Sequence, residues 1–268
     1  MNIEHISISR GKLYKECEYK YKLKYHEKLL PTKEEPFYFV YGKIIHRIAQ
    51  IYVEEKAARS LSEVSADVLR GKILLEGNIK APKIPQEYKV RMPNHLNSVR
   101  KITEKLGTDG LTEHPIYVDL DPPNKKYIKG FIDRIIFKND SAIVLDYKTT
   151  KPGPFRENAQ SVKFDPQLRY YARFVSQEFK IPAQNISTAL LYLDDYQIVG
   201  CKYTEQSLID IEKDMLHLYN TIATKEPDAA WGKVGQQCPR CEYSDVCPFF
   251  KNKNQTVTWD GDLSSLGY

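Results

Sequence analysis

A chain of 268 residues, 41% hydrophobic and 28% charged, suits one large domain or one domain with appendages, and ordinary globular folding is expected. No apolar run approaches the length of a membrane span. The start, Met1-Asn2-Ile3-Glu4-His5, lacks the charged-then-apolar pattern of a secretory signal, so the chain reads as cytoplasmic. A formal charge of +5 permits nucleic-acid binding without arguing for it.

Residues 7 to 28 carry a helical pattern, with Ser7 or Ser9 as N-cap. Pro31 to Pro36 is a polar break. Residues 41 to 58 read as a second helix whose Ile44, Ile45, Ile48, Ile51 and Tyr52 share one stripe. Residues 60 to 110 read as helix in pieces, broken at Pro82, Pro85 and Pro93. Residues 113 to 120, 126 to 137 and 142 to 148, rich in Ile, Val, Phe and Tyr, read as three strands. Asp165-Pro166 is a helix start, Asp as cap and Pro in the first turn, for a helix running to about Phe179. Strands near 186 to 193 and 197 to 204 follow, then a helix from Glu205. After Trp231 comes a cysteine-bearing loop region with a polar tail. The layout is α/β or α+β around a mixed sheet.

Asn139-Asp140 is a plausible two-residue tip joining the second and third strands. Such a tip pairs residues whose numbers total 279, which sets Asp133 opposite Asp146 with Cβ atoms roughly 4.5–5.5 Å apart. Alternation puts Lys148 on the same face. Facing carboxylates repel, and a divalent cation with a preference for oxygen, Mg²⁺ or Mn²⁺, would resolve the conflict. Such an ion could polarise a phosphate and acidify a water, with Lys148 stabilising developing charge. The plainer alternative is a solvated strand pair in which Asp146 simply meets Lys148.

Five cysteines are an odd number for a disulfide framework in a cytoplasmic chain. Cys238, Cys241 and Cys247 have the spacing of a metal knuckle, with no histidine nearby. A fourth thiolate is needed, and four would suit tetrahedral zinc or an iron–sulfur cluster. Cys201, in a predicted strand, reads as an ordinary buried thiol. Near the N-terminus, Lys12, Lys15, Lys20, Lys22, Lys24 and Lys28 interleave with Tyr14, Tyr19, Tyr21 and Tyr25. Lysines could meet phosphates and tyrosines could stack on bases, or the helix could bury its tyrosines and solvate its lysines.

Gly130-Phe131-Ile132-Asp133-Arg134 followed by Asp146-Tyr147-Lys148 resembles the core of the PD-(D/E)XK nucleases, in their RecB-like branch. Gly42-Lys43-Ile44-Ile45-His46 matches that branch's GxxxH element. Glu113 stands where the branch has an acidic residue on its first core strand, and Gln167-Leu168-Arg169-Tyr170-Tyr171 matches QxxxY. One cysteine near the start (Cys17) with Cys238-Pro239-Arg240-Cys241 and Cys247-Pro248 is similar to the iron–sulfur exonucleases. Those include the CRISPR-associated nuclease, the AddB nuclease domain and the single-strand exonucleases of mitochondrion and nucleus. Residues 60 to 110 and the tail after about Phe250 have no clear counterpart.

The resemblance implies a restriction-endonuclease-like core with a central mixed sheet flanked by helices. It implies one nuclease domain over 1–268, with a helical N-terminal region at 1–110, the core at 111–225 and a cysteine region and tail at 226–268. His46, Asp133, Asp146 and the Tyr147 carbonyl would bind metal, and Glu113 would join through a second metal or a water. Gln167 would position Lys148 or the metal shell, and Tyr171 would touch a DNA phosphate. On its own helix His46 lies roughly 150° from the apolar stripe, which also fits a surface histidine. Gln167 and Tyr171, spaced i, i+4, share a face, which also fits a core-edge tyrosine. Cys17, Cys238, Cys241 and Cys247 would hold a [4Fe–4S] cluster, with zinc the alternative, stapling the terminal segments. The expected activity is Mg²⁺- or Mn²⁺-dependent hydrolysis of DNA, as an exonuclease on single strands or ends in recombination, repair or CRISPR adaptation. No GxxxxGK[ST] loop occurs, so any helicase would be a separate partner. A non-catalytic iron–sulfur DNA-binding subunit is the alternative, against which the intact Asp-Asp-Lys set argues. A sequence-specific endonuclease is a third option.

Overall fold

The computed structural model describes residues 3, 5–34, 36–124, 126–154 and 156–251. They form two compact units. One comprises Met1–Ile3, Ser9–Glu35 and Ile222–Tyr268; the other comprises Glu4–Ile8 and Pro36–Thr221.

The larger unit is a five-stranded mixed sheet with helices on it. Its strands are β1 (Leu111–Asp121), β2 (Lys126–Lys138), β3 (Ser141–Lys148), β4 (Ile186–Tyr192) and β5 (Gln197–Lys202), adjacent in that order. All neighbours are antiparallel except β3 and β4. A parallel pair needs a crossover, and the helix Pro166–Phe179 supplies it. The expected strands all form, with ends shifted by one or two residues.

The helix expected over 41 to 58 forms as Phe37–Glu54, numbered α3 after α1 (Ile8–Glu16) and α2 (Glu18–Tyr21). Ile44, Ile45 and Ile48 are fully buried, each contributing about 1.5–3 kcal/mol. They join one core with Val64 and Val68 of α4 (Leu61–Leu69) and Val99 and Ile102 of α5 (Gln86–Leu106). That core packs on Leu145 and Tyr147 of β3 and Leu191 of β4. Strand residues of opposite parity, Val144 and Leu190, are buried too, and Pro166–Phe179, α6, lies against these strands. Asp165 caps α6, its carboxylate accepting from the N–H groups of Gln167 and Leu168.

Two expectations about breaks need correction. Pro93 does not break α5; it sits inside that helix on its exposed side. There the lost N–H costs one hydrogen bond, while Tyr88, Met92, His95 and Val99 remain buried. In the smaller unit, residues 7 to 28 are not one helix. Cys17 is extended (φ −162°, ψ 106°), and its sulfur accepts the N–H of Lys20, so α1 ends and α2 begins there. A π-helical turn, Lys22–His26, follows.

Within this unit the N-terminal and C-terminal segments are packed together. Thr32 N–H donates to the carbonyl of Glu242, Tyr243 hydroxyl to that of Leu29, and Lys20 pairs with Glu242 at 2.9 Å. The structure bears on the packing of the basic, aromatic start. Tyr14 and Tyr21 are buried and Lys20, Lys22 and Lys24 are ion-paired, while Lys12, Lys15 and Lys28 are exposed. The last helices are α7 (Glu205–Thr224) and α8 (Pro248–Lys251). Among the described residues no helix is long and apolar enough to cross a membrane.

Candidate metal centre

The β2–β3 ladder runs from Lys138↔Ser141 to Arg134↔Leu145. Every pair totals 279, the register of an Asn139-Asp140 tip, and Asn139 takes the left-handed conformation (φ +52°) that such a turn uses. One step beyond the last rung come Asp133 and Asp146. There the strands part, and Oδ2 of Asp133 accepts the N–H of Tyr147 at 2.6 Å. Across β1 and β2 the rungs Thr112↔Arg134 and His114↔Ile132 bracket Glu113, which therefore falls across from Asp133. Glu113 has φ +42°, a backbone state that costs about 1–3 kcal/mol and collects at functional sites. Three acids thus stand at one level of three neighbouring strands.

His46 reaches this level from α3. Its Nδ1 lies 3.3 Å from Oδ1 of Asp133 and 3.8 Å from Oε1 of Glu113, and its Nε2 lies 3.0 Å from the Tyr147 carbonyl oxygen. Ligand atoms of His46, Glu113 and Asp133 lie within 4.8 Å of one another, a group that could hold a metal ion. Asp146 takes a different set of partners. Its Oδ2 pairs with Lys148 Nζ at 2.5 Å and its Oδ1 accepts from Gln167 Nε2 at 2.8 Å. Gln167 Oε1 in turn accepts from Lys148 Nζ at 3.3 Å, and Gln167 Nε2 donates to the Tyr171 hydroxyl at 2.5 Å. Tyr171 is buried.

The electrostatics separate the two aspartates. Burial raises both carboxyls. At Asp133 it is outweighed by His46, the Tyr147 N–H and Lys148, so its pKa is lowered. At Asp146 burial, together with the Asp133 charge, outweighs Lys148 and His46, so its pKa is raised. Burial opposes charge on His46, but Asp133, Glu113 and Asp146 overcome it and push the imidazole up to about 9. Burial likewise opposes charge on Lys148, and Asp146 and Asp133 hold it protonated. Dense negative charge has drawn in the available cations, which is the environment a metal ion also seeks.

The family model for the PD-(D/E)XK nuclease superfamily matches residues 5–248. The chain belongs to the PD-(D/E)XK nuclease superfamily. It is a nuclease with the superfamily's α/β fold, a mixed sheet flanked by helices. No curated protein matches the chain. Among the solved structures that resemble it are two of similar coverage. One is a provisionally named exonuclease from Eubacterium rectale, 12% identical, covering 98% of this chain and 92% of its own, with a TM-score of 0.47. The other, SSO0001, is 19% identical, with coverages of 87% and 94% and a TM-score of 0.36. Neither adds to the family assignment at these scores.

In this nuclease the residues expected at the site, His46, Glu113, Asp133, Asp146, Tyr147, Lys148, Gln167 and Tyr171, all lie in the larger unit, and the contacts above connect them. Sequence reasoning missed the support behind them. Arg91, from α5, donates to the carbonyl of Thr149, the residue after Lys148, and to both oxygens of Asp194. Arg156 donates to the next carbonyl, Thr150, and to Asp195. Arg91 and Asp194 are 103 residues apart in the chain, and no local pattern marks them.

The cysteines divide between the units. Cys201 lies on β5, half-buried, with Thr188 and the Val162 carbonyl as weak partners. Cys17, Cys238, Cys241 and Cys247 lie in the smaller unit. Their sulfurs do not gather as closely as the ligand atoms around His46.

Proposed function

We propose that this protein is a divalent-metal-dependent deoxyribonuclease that acts as an exonuclease on single-stranded DNA or DNA ends. The observation that carries the reading is the convergence of His46, Glu113 and Asp133 beside the Asp146–Lys148 pair. Two carboxylates and an imidazole are oxygen and nitrogen donors that suit Mg²⁺ or Mn²⁺. His46, Asp133, Asp146 and the Tyr147 carbonyl would hold the ion, with Glu113 joining directly or through a water. Bound there, the metal would supply Lewis-acid activation of the phosphodiester and of the attacking water.

The chain's own groups do the rest. Lys148, kept protonated by Asp146, offers a positive charge to the phosphate as negative charge grows on it. Gln167 holds both members of that pair, donating to the aspartate and accepting from the lysine. Tyr171, whose pKa burial raises well above the ordinary tyrosine value, stays neutral and fixes Gln167 from behind.

The same proposal includes a [4Fe–4S] cluster on Cys17, Cys238, Cys241 and Cys247. Supporting it, backbone N–H groups of Lys20, Gly235 and Tyr243 point at the sulfurs of Cys17, Cys238 and Cys241, as in sites that stabilise thiolate charge. Brown colour and broad visible absorbance after anaerobic purification test it. Work beside a separate helicase or an adaptation protein, in recombination, repair or CRISPR adaptation, belongs to the same reading.

The test of the activity is digestion of single-stranded and duplex DNA with Mg²⁺ or Mn²⁺ by wild type and Asp146→Ala. Degradation by wild type, lost in the variant, supports it. Equal inactivity of both would point instead to a non-catalytic iron–sulfur DNA-binding subunit.

A further inference from the structure

The β1–β2 ribbon continues well past the metal centre, and its outer face is not built like a solvated surface. Along β1, Ile116 and Val118 are buried while Pro115, Tyr117 and Asp119 are exposed; along β2, Ile128 and Ile132 are buried while Lys129 and Phe131 are exposed. The residues of this face pair in register: Pro115 opposite Phe131, Tyr117 opposite Lys129, and Asp119 opposite Tyr127, which is half-buried. Tyr117 and Phe131 each leave 53% of their surface in water. Tyr127 stacks on Tyr117 (ring centroids 4.8 Å apart, planes 25° apart) and on His5 (5.7 Å, 9°), and Lys129 Nζ sits 5.2 Å from the Tyr127 ring.

The next position in the same two-residue rhythm, one step beyond Pro115 and Phe131, is Glu113 across from Asp133. The aromatic row therefore leads directly to two acids of the metal centre. Asp133 lies six positions along β2 from Tyr127, about 20 Å of strand, enough for several nucleotides. Pro115, Tyr117 and Phe131 lie together on this face, and a contiguous exposed apolar patch, unlike a scattered ring, marks an interaction site. Flat rings with an interleaved lysine match one occupant well: unpaired bases stack on the rings while the ammonium meets the backbone. A duplex keeps its base faces covered and could not use such a surface.

We propose that Tyr117, Phe131 and Lys129, with Tyr127 backing Tyr117, form a track on which the bases of a single-stranded segment stack as its backbone enters the metal centre. This rests on the nuclease reading for the direction of travel, but the binding itself does not need catalysis.

The experiment is equilibrium binding of fluorescent oligothymidylate and of a blunt duplex to the full-length protein in EDTA. It compares wild type, Tyr117→Ala, Phe131→Ala and the ring-keeping variants Tyr117→Phe and Phe131→Tyr. Each alanine variant is expected to weaken single-strand binding about tenfold or more, with duplex binding little changed and melting temperature near wild type. The ring-keeping variants should bind as wild type. Wild-type affinity in both alanine variants, or equal weakening for duplex and single strand, would overturn the track. A protein that cleaves DNA yet shows those results keeps its proposed function and loses this inference. One that binds through the rings but never cleaves does the reverse.

Discussion

The main-chain N–H of Tyr147 donates to Oδ2 of Asp133 at the level where β2 and β3 stop pairing. A carboxylate takes the place of a backbone carbonyl in the ladder, so one oxygen of Asp133 is fixed by the sheet. The other, Oδ1, is left toward His46 at 3.3 Å. The oxygen that would meet a metal is thus held in place before any ion arrives.

Asp133→Asn and Asp133→Ala should therefore differ. The asparagine can still accept from Tyr147, so the fold is kept while DNA cleavage falls by about a hundredfold or more, the scale of disturbed metal sites. The alanine leaves a buried N–H without an acceptor, which costs a further ~1–3 kcal/mol of stability. Urea unfolding and DNA digestion on both variants check this. Equal stability of the two would show that the Tyr147 bond carries no weight.

A second expectation concerns the ion itself. Glu113, Asp133 and Asp146 crowd one level of the sheet, and a cation that binds only the folded state stabilises it by mass action. The gain is about 2.7 kcal/mol at a hundred times the dissociation constant. Mn²⁺ should raise the melting temperature of wild type and EDTA should reverse the rise, while a Glu113→Gln, Asp133→Asn double variant should respond to neither. A wild-type melt indifferent to Mn²⁺ would contradict a metal site here.

The centre of the site was readable because its placement depends on short-range chemistry. A two-residue tip at Asn139-Asp140 fixes the register that aligns Asp133 with Asp146, and Asp165-Pro166 fixes the start of the helix that carries Gln167. Features that depend on distant contacts were not readable. Cys17 ends a helix by adopting an extended backbone, which no propensity demands. Pro93 is tolerated within α5 because its ring faces solvent while the helix is held on its other side. The Arg91–Asp194 pair joins a helix to a strand end across 103 residues, which local spacing cannot show.

Gln167 offers a sharper test of the site's order. Its amide donates to Asp146 and accepts from Lys148, two tasks that neither leucine nor glutamate can perform together. Gln167→Leu should lower kcat about 10–100-fold with little change in KM, since the substrate's binding surface is untouched. Gln167→Glu should be at least as damaging, because it sets a third carboxylate against Asp146. An unchanged kcat in both variants would remove Gln167 from the machinery.

The buried cluster behind Thr149 makes stability depend on pH in a predictable direction. His95 is fully buried, with Nε2 2.9 Å from Oδ1 of Asp194 and Nδ1 2.9 Å from the Tyr41 hydroxyl. A neutral ring satisfies both, its Nε2–H donating to the carboxylate and its Nδ1 accepting from the tyrosine. Burial lowers its pKa, Arg91 and Arg156 add to that, and Asp194 only partly offsets it. The unfolded chain takes up a proton near the ordinary histidine value of about 6.5, and the folded chain resists it. Stability should then fall as pH drops below that value, with a slope of at most about 1.4 kcal/mol per pH unit from this one group. Burial raises the carboxyl of Asp194, but hydrogen bonds from Arg91 and His95 outweigh it and hold the pKa low. Its contribution is therefore present above the ordinary carboxylate range and is lost only in stronger acid. His95→Gln keeps a donor and an acceptor but cannot titrate. Urea unfolding in EDTA at pH 7.5, 6.5 and 5.5 should show wild type losing its margin over the variant as pH falls. Parallel profiles would place the acid sensitivity elsewhere.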